Sequence, residues 1–252
     1  MRAAAWATVA VGLWAGAALA ADAPAVMTAR EILDRVDDLY RGDSSHGRIL
    51  MKIVTAHWSR EMSLEFWSQG RENTLIRILA PQKEKGTATL RAGHNIWNYL
   101  PKVNQVIKIP SSMMGVSWMG SHFTNDDFVK QSRMTKDFDY EETFAGVRDG
   151  TNVTEITCLP KPKAAVVWGK IVVTARRDDW APLAVAYFDE EMKPARTLTF
   201  GEFQRVGERF LPSLARMAPA DHPEEVTELR YVEVTFNPSL PPDLFTLRSL
   251  QR

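Results

Sequence analysis

The sequence has 252 residues, with 31 basic and 31 acidic side chains, and 45% of its residues are hydrophobic. This charge balance argues against nucleic acid as a main partner, because nucleic-acid-binding proteins normally carry a basic excess. The length and the apolar content fit one globular domain with a substantial core. Cys158 is the single cysteine, so the chain cannot form an internal disulfide.

The first twenty residues have the pattern of a cleavable export signal. Arg2 supplies the positive start, an uncharged apolar run follows, and residues 18–20 (Ala-Leu-Ala) form a small-x-small cleavage site. An uncleaved anchor is the alternative, but the apolar run is short for a bilayer span. We therefore expect residues 1–20 to be removed and residues 21–252 to form a single soluble domain in a bacterial periplasm.

One amphipathic helix is predicted near the start of the mature chain. Thr28 and Glu31 have the spacing of a capping box. Apolar residues then recur at helical spacing, at Ile32, Leu33, Val36 and Leu39. Gly42 follows where a helix would stop, so the pattern predicts a helix over about 29–41. The aspartates at 34, 37 and 38 are assigned to its solvent-facing side.

After this helix the hydrophobic period changes to two, which is typical of strands with one buried and one wet face. The first alternating sets are Ile49, Met51 and Ile53; Met62, Leu64 and Phe66; and Ile76 and Ile78. Further strands are predicted over 86–92, 95–100, 103–109, 138–145, 152–159, 166–176, 183–189, 197–206, 210–217 and 227–236. Turn-forming residues separate these runs, for example Asp149-Gly150.

The pattern predicts a mainly β (α+β) fold with about ten to thirteen strands, an N-terminal helix and short covering helices. A sheet of that size must curl or be covered, and one early helix can cover it only in part. We therefore expect a strongly curved antiparallel half-barrel whose interior is incompletely filled. Small barrels of this kind can hold a ligand.

The segment from Trp97 to Phe128 is unusual in its composition. A strand-like run ends in a proline turn, and large soft side chains then alternate with glycine and serine. Methionine is flexible and polarizable, which suits a surface that adapts to a variable apolar ligand. An ordinary buried loop or short helix is the alternative interpretation.

No catalytic constellation emerges from the sequence. The run from Gly115 to Gly120 misses the spacing of a nucleophile elbow by one residue. His122 with Asp126 and Asp127 could ligate a metal. The simpler interpretation is that Thr124 or Asn125 caps a short helix and that the aspartates favour its positive N-terminus. There is no glycine-rich phosphate loop. We therefore predict neither an enzyme nor a site for a metal or cofactor.

The order of features resembles a known family. The export signal, one helix and a meander precede Trp-x-Tyr-x-Pro at 97–101, and Ser-Trp-Met-Gly-Ser-x-Phe-Thr-Asn-Asp-Asp follows at 117–127. This pattern is similar to that of the outer membrane lipoprotein-sorting protein family, which is related to the periplasmic carrier LolA and its receptor LolB. The resemblance implies a half-barrel closed by helices, whose apolar interior shelters the acyl chains of a lipid or lipoprotein in transit.

The resemblance also implies partners: an inner-membrane exporter of the resistance-nodulation-division (RND) or MMPL type, and an outer-membrane acceptor. A non-transporting adaptor of an envelope complex is the alternative function. The family's cover is held shut by an arginine, for which Arg77 and Arg91 are candidates. Residues 111–128 are expected to form a mobile cover or rim.

The predicted ligand-binding residues come from this cover and from the alternating strands. They are Met113, Met114, Trp118, Met119, Phe123, Phe128, Trp97, Tyr99, Ile107, Phe66, Leu64, Ile76 and Ile78. Alternation adds Ile49, Met51, Ile53, Met62 and Ile109 as cavity-facing candidates. Ordinary core packing is the alternative for each strand residue.

Overall fold

The computed structural model describes residues 27–129, 134–162, 164 and 166–251. The side chains of residues 111, 128 and 129 are not among the described parts. The predicted export signal at residues 1–20 lies outside the described residues. No helix within the described part is both long enough and apolar enough to cross a bilayer.

The described chain is mostly β, with thirteen strands in one antiparallel sheet. The strands are β1 (Ser44–Val54), β2 (Ser59–Gln69), β3 (Asn73–Ala80), β4 (Ala88–Ala92), β5 (Asn95–Leu100), β6 (Gln105–Ile109), β7 (Phe138–Arg148), β8 (Thr151–Pro160), β9 (Lys170–Arg176), β10 (Pro182–Phe188), β11 (Pro194–Val206), β12 (Arg209–Pro219) and β13 (Val226–Phe236). This number confirms the predicted count. The sheet is not closed, which is consistent with a curved half-barrel.

The strand order places the first and last strands next to each other in the middle of the sheet. β1 pairs with β13, and the order runs β6-β5-β4-β3-β2-β1 on one side and β13-β12-β11-β10-β9-β8-β7 on the other. The two edges of the sheet are therefore β6 and β7, which are consecutive along the chain. The connection between them has to pass from one edge of the sheet to the other.

Four short helices accompany the sheet in the described residues: α1 (Ala29–Asp37), α2 (Asn125–Val129), α3 (Met134–Asp137) and α4 (Leu247–Leu250). The predicted capping box at the start of α1 is present, since the Thr28 hydroxyl oxygen accepts from the Glu31 N–H and Glu31 accepts from the Thr28 N–H. The helix ends at Asp37, earlier than predicted, because residues 38–40 form a turn.

Some predicted strand boundaries are wrong for local reasons. β6 begins at Gln105 because Pro101–Val103 form a 3₁₀ turn and Asn104 adopts a left-handed conformation. β9 begins at Lys170, four residues after its predicted start. β7 runs on to Arg148, where the Asp149-Gly150 turn ends it as the sequence indicated.

The two faces of the sheet are covered differently. We call the face that carries Ile49, Leu64 and Phe66 the inner face; α1 and residues 110–129, which we call the strap, lie against it. The opposite, outer face carries Leu75 and Leu90, and α4 packs there through Leu250. Neighbouring residues in a strand point to opposite faces, so Phe66 belongs to the inner face and Trp67 to the outer.

Candidate functional site: a covered cavity on the inner face

A cavity of about 270 Å³ lies between the inner face and the segments that cross it. Its volume is close to the lower limit, about 300 Å³, of pockets that hold small molecules. Side chains from both halves of the sheet form its apolar wall: Ile49, Met51, Leu64, Phe66, Ile76, Ile171, Val185, Leu198, Phe200, Ala215, Met217, Leu229 and Tyr231. The apolar character of the wall therefore follows from the period-two alternation of the sequence, because each strand places every second side chain on this face.

The strap reaches this wall through a narrow loop. Ser117 and Thr124 form an antiparallel bridge, and the Trp118 N–H donates to the Phe123 carbonyl oxygen at 2.7 Å. Gly120, at φ +74°, allows the tight reversal between them. The loop places the side chains of Trp118 and Phe123 together against the cavity wall, and Trp118 is only 3% exposed.

Polar contacts from several strands hold the strap in place. The Trp118 indole N–H donates to the Thr89 hydroxyl oxygen on β4 at 3.1 Å. On β2, the guanidinium of Arg60 donates to the carbonyl oxygen of Met119. On β13, Thr227 meets His122 twice: its hydroxyl oxygen accepts from the His122 backbone N–H at 3.0 Å and lies 2.9 Å from the ring Nδ1.

The strongest of these contacts is a buried ion pair between β11 and the strap. Arg196, 7% exposed, donates from Nη2 to Asp127 Oδ1 at 2.6 Å and from Nη1 to Asp127 Oδ2 at 2.9 Å. Arg196 Nη1 also donates to the His122 carbonyl oxygen at 3.0 Å. The guanidinium lies 4.6 Å from the ring centre of Trp168 and 4.7 Å from that of Tyr187. Bidentate, aromatic-flanked arginine pairs are both specific and strong.

Ionisable side chains also line the cavity. Among the described lining residues these are Asp37, Arg41, Asp126, Asp127 and Asp137. Burial raises the pKa of Asp37 to about 7, against the smaller opposing effects of Arg71 and of a hydrogen bond from the Met134 N–H. Burial also lowers the pKa of Arg41. The lining thus combines an apolar wall with several charged side chains.

Asp37 was wrongly assigned to the wet side of its helix by sequence reasoning. The signal that could have found it is its spacing, because it lies four residues after Leu33, which is fully buried. Residues four apart share one face of a helix. Arg196 was not found either, since it is one of many arginines in strands and its partner Asp127 is 69 residues away.

Seven of the predicted ligand-binding residues lie at the cavity or directly beside it. Those at the cavity are Trp118, Phe123, Phe66, Leu64 and Ile76. Ile78 and Met119 belong to the same apolar cluster beside it. The side chain of Phe128 lies outside the described residues. Among the additional candidates, Ile49 and Met51 line the cavity, Ile53 and Met62 pack in the cluster, and Ile109 is buried elsewhere on the inner face.

The remaining predicted residues lie away from the cavity. Trp97 and Tyr99 are on the outer face, packed against the cluster that contains Leu250. Both faces of β5 are covered by other parts of the chain. Alternation in the sequence separates the side chains of the two faces, but it does not show which face borders the cavity. Ile107 is 41% exposed and Met113 is 43% exposed. Met114 lies at a separate depression near His94 and Lys108.

The two candidate arginines lie elsewhere too. Arg77 is on the outer face, where it donates to the Ser249 carbonyl oxygen at 2.8 Å and lies over the Trp67 ring. Arg91 is on the inner face and donates to the Gly93 carbonyl oxygen. The described residues contain no group of three or more side chains arranged to hold a metal ion. Of the three metal candidates, Asp127 pairs with Arg196, while His122 contacts Thr227 and, at 3.5 Å, Glu225.

Several solved structures have the same fold. The chain superposes on a domain named for outer membrane lipoprotein sorting from Vibrio parahaemolyticus with a TM-score of 0.76 and 22% identity, covering 88% of this chain and 97% of that one. A LolA superfamily protein from Nitrosomonas europaea gives a TM-score of 0.73 with 20% identity, covering 89% and 100%. A DUF1329 family protein from Desulfovibrio piger gives 0.78 with 20% identity, covering 88% and 97%. The chain therefore has a LolA-like fold, which confirms the resemblance seen in the sequence.

The chain belongs to the family whose model, described as "Uncharacterized protein", matches residues 70–252. No curated protein sequence matches the chain.

Proposed function

We propose that the protein is a periplasmic carrier that shelters acyl chains of a lipoprotein or lipid in its inner-face cavity during transfer between the inner and outer membranes. The observation that carries this proposal is the apolar cavity of about 270 Å³ under the strap. The LolA-like fold supports a binding role rather than a catalytic one.

The physical need for such a compartment is large. Each methylene kept from water is worth about 0.8 kcal/mol, so a chain of about sixteen carbons costs on the order of 12 kcal/mol to expose. A carrier that moves through water must therefore enclose the chain. The wall between β1–β3 and β9–β13 offers aliphatic and aromatic side chains for this purpose.

Release requires that the enclosure can open. Trp118 and Phe123 close the cavity from the strap, and the strap is fixed by directional polar contacts at Arg60, Arg196 and Thr227. Such contacts can be exchanged for water when the strap lifts, whereas a purely apolar cover would expose its whole contact area. We therefore propose residues 111–128 as the element that moves during loading and unloading.

The setting and partners of this carrier are also part of the proposal. The export-signal pattern of residues 1–20 supports a periplasmic location, and residues 21–252 act as a single domain. We propose an RND- or MMPL-type inner-membrane exporter and an outer-membrane acceptor as partners. These partners follow from the family resemblance.

The test is whether an apolar guest occupies this cavity. Ala215 lies on the cavity wall, so Ala215→Phe should fill the space and weaken binding of an uncharged naphthylamine dye by tenfold or more. The matched control is Ala186→Phe on β10, because Ala186 neighbours Val185 and so points to the outer face. The measurement is dye fluorescence titrated with protein, combined with lipid analysis of a solvent extract of purified protein.

Two results would contradict the proposal. One is a wild-type protein that binds no dye and yields an empty extract. The other is equal weakening by Ala215→Phe and Ala186→Phe. Crosslinking that captures a protein partner but never a lipid would favour the adaptor function instead.

A further inference from the structure

Two neighbouring turns at one end of the sheet expose apolar and basic side chains together. They are residues 81–87, between β3 and β4, and residues 100–104, between the end of β5 and the start of β6. Because β3 to β6 are consecutive antiparallel strands, both turns leave the sheet at the same end. The turns are in contact, since a Cβ added to Gly86 would lie 3.6 Å from Pro101 Cγ. We call these two turns the tip.

The apolar side chains at the tip are exposed to solvent. Val103 is 58% exposed and Leu100 is 37% exposed. Ile107 lies diagonally opposite Leu100, because Leu100 pairs with Gln105, and it is 41% exposed. Single exposed apolar residues are ordinary, but a group of neighbouring ones marks an interaction surface.

The tip also carries an excess of positive charge. Lys83, Lys85 and Lys102 are all exposed. The one carboxylate in the two turns is that of Glu84, and it is paired with Arg60 at 2.9 Å. Exposed lysines beside apolar side chains suit an anionic lipid bilayer, because the headgroups attract the lysines while the apolar groups enter the interfacial layer.

Other turns at this end of the sheet have the opposite charge. Residues 189–193 and 220–225 carry six carboxylates and one lysine. The nearer of these turns leads into β13, which β2 and β1 separate from β3, a distance of about 14 Å along the sheet. This distance exceeds the Debye length of about 8 Å at physiological ionic strength. An anionic surface is therefore attracted to the tip and repelled by the turns near β10–β13.

The small size of the tip favours a bilayer over a protein partner. A specific protein interface of standard size involves about 20 to 30 residues on each side. The tip consists of twelve residues in two turns. A fluid bilayer needs no matching shape, so a few apolar side chains and lysines are enough to bind it.

We propose that the tip docks the protein on an anionic lipid bilayer, with Leu100 and Val103 in the interfacial layer and the three lysines at the headgroups. This inference goes beyond the carrier function and does not depend on what the cavity holds. Arg60 links the tip to the strap, because its guanidinium donates to Glu84 and to the Met119 carbonyl oxygen. Docking through the tip therefore keeps this part of the strap near the membrane.

The experiment measures sedimentation of the purified protein with two kinds of vesicle, phosphatidylcholine alone and phosphatidylcholine with one-third phosphatidylglycerol. We expect at least tenfold stronger partition onto the anionic vesicles, because each lysine near such a surface contributes about a fivefold gain. Lys102→Gln should lose about fivefold in this partition. The matched control is Lys193→Gln in the acidic turn at 189–193, which should change partition by less than twofold.

A second pair of variants tests the apolar part of the tip. Val103→Asp should weaken partition onto the anionic vesicles by at least tenfold. Val147→Asp is the control, because Val147 is 71% exposed and lies at the opposite end of the sheet, before the Asp149-Gly150 turn. Thermal unfolding reports whether both variants stay folded. Equal effects of the two variants in either pair, or equal partition of wild type onto both vesicles, would overturn the proposal.

Failure of this proposal is distinguishable from failure of the carrier function. Wild-type protein that sediments with neither vesicle overturns docking on the bilayer, while dye titration without vesicles still tests the cavity. Crosslinks from Val103→Cys to a protein, with no partition onto either vesicle, would assign the tip to a protein partner and also overturn the proposal.

Discussion

The two faces of the sheet use similar side chains but are closed in different ways. On the outer face, α4 seats Leu250 against Leu75 and Leu90, and each of these three residues is at most 1% exposed. On the inner face, the strap lays Trp118 and Phe123 over the wall of a cavity of about 270 Å³. The outer cover is fixed by apolar packing and a hydrogen bond from Arg77 to Ser249, whereas the inner one combines the packing of Trp118 and Phe123 with several hydrogen bonds and an ion pair. The comparison shows that the outer face is packed against its cover, whereas the inner face borders a cavity.

The largest expected effect is on the packed outer face. Leu250→Ala removes a fully buried side chain and should lower the free energy of unfolding by about 3 to 5 kcal/mol. This change in the free energy of unfolding can be measured by urea titration monitored by tryptophan fluorescence. Leu247→Ala on the same helix is the control, because Leu247 is exposed and its loss should cost less than about 0.5 kcal/mol. Equal effects of the two variants would contradict the assigned packing.

The next effect concerns the ion pair that holds the strap. Arg196→Met should lower the free energy of unfolding by about 2 to 3 kcal/mol, because Asp127 is left largely buried without its partner. It should also raise access of an aqueous quencher to Trp118. Arg230→Met, which removes an exposed pair with Glu202, is the control and should cost less than about 1 kcal/mol. Unchanged stability and quenching in Arg196→Met would show that the strap does not depend on this contact.

A smaller effect depends on pH and concerns Asp37. Its folded-state pKa of about 7 lies above the ordinary value of 3.8, because burial outweighs the attraction of Arg71. The folded state therefore holds this proton more tightly, and its stabilising contribution is full below about pH 4 and lost as the pH rises through 7. Asp37→Asn should match wild type near pH 4 and exceed its free energy of unfolding by on the order of 2 kcal/mol at pH 8. Thermal unfolding over pH 4–8 measures this, and a difference that shrinks with rising pH would contradict the sign.

The smallest expected effect concerns the exposed methionine of the strap. Met113→Ser should change the free energy of unfolding by less than about 0.5 kcal/mol, because the Met113 side chain is 43% exposed. It should also leave dye binding unchanged, unlike Phe123→Ser at the cavity wall. A clear loss of dye affinity in Met113→Ser, measured by titration, would extend the binding surface beyond the cavity.

Most of the strands could be predicted from the sequence, because hydrophobic alternation is a local pattern. The sets at 49–53, 62–66 and 76–78 identified strands and the side chains that share one face. Alternation does not say which face is internal, and Trp97 and Tyr99 were misplaced because the C-terminal helix buries the outer face as well. Contacts distant along the chain, such as that of Arg196 with Asp127, are set by the pairing of strands, so no local pattern reports them. The prediction for Asp37 was wrong for a different reason. It was assigned to the solvent-facing side because it is acidic, although its helical spacing from Leu33 places it on the buried side.

The strap has one mechanical property that follows from the strand order. It leaves the sheet at β6 and the chain re-enters at β7, so the two free edges of the sheet are tied together by the segment that crosses the inner face. A guest that pushes the strap away from the sheet draws both edges inward, so lifting of the strap and curling of the sheet become a single coordinate. Measurements of the distance between the two edges, for example with paired spin labels, would therefore also report whether the cavity is occupied.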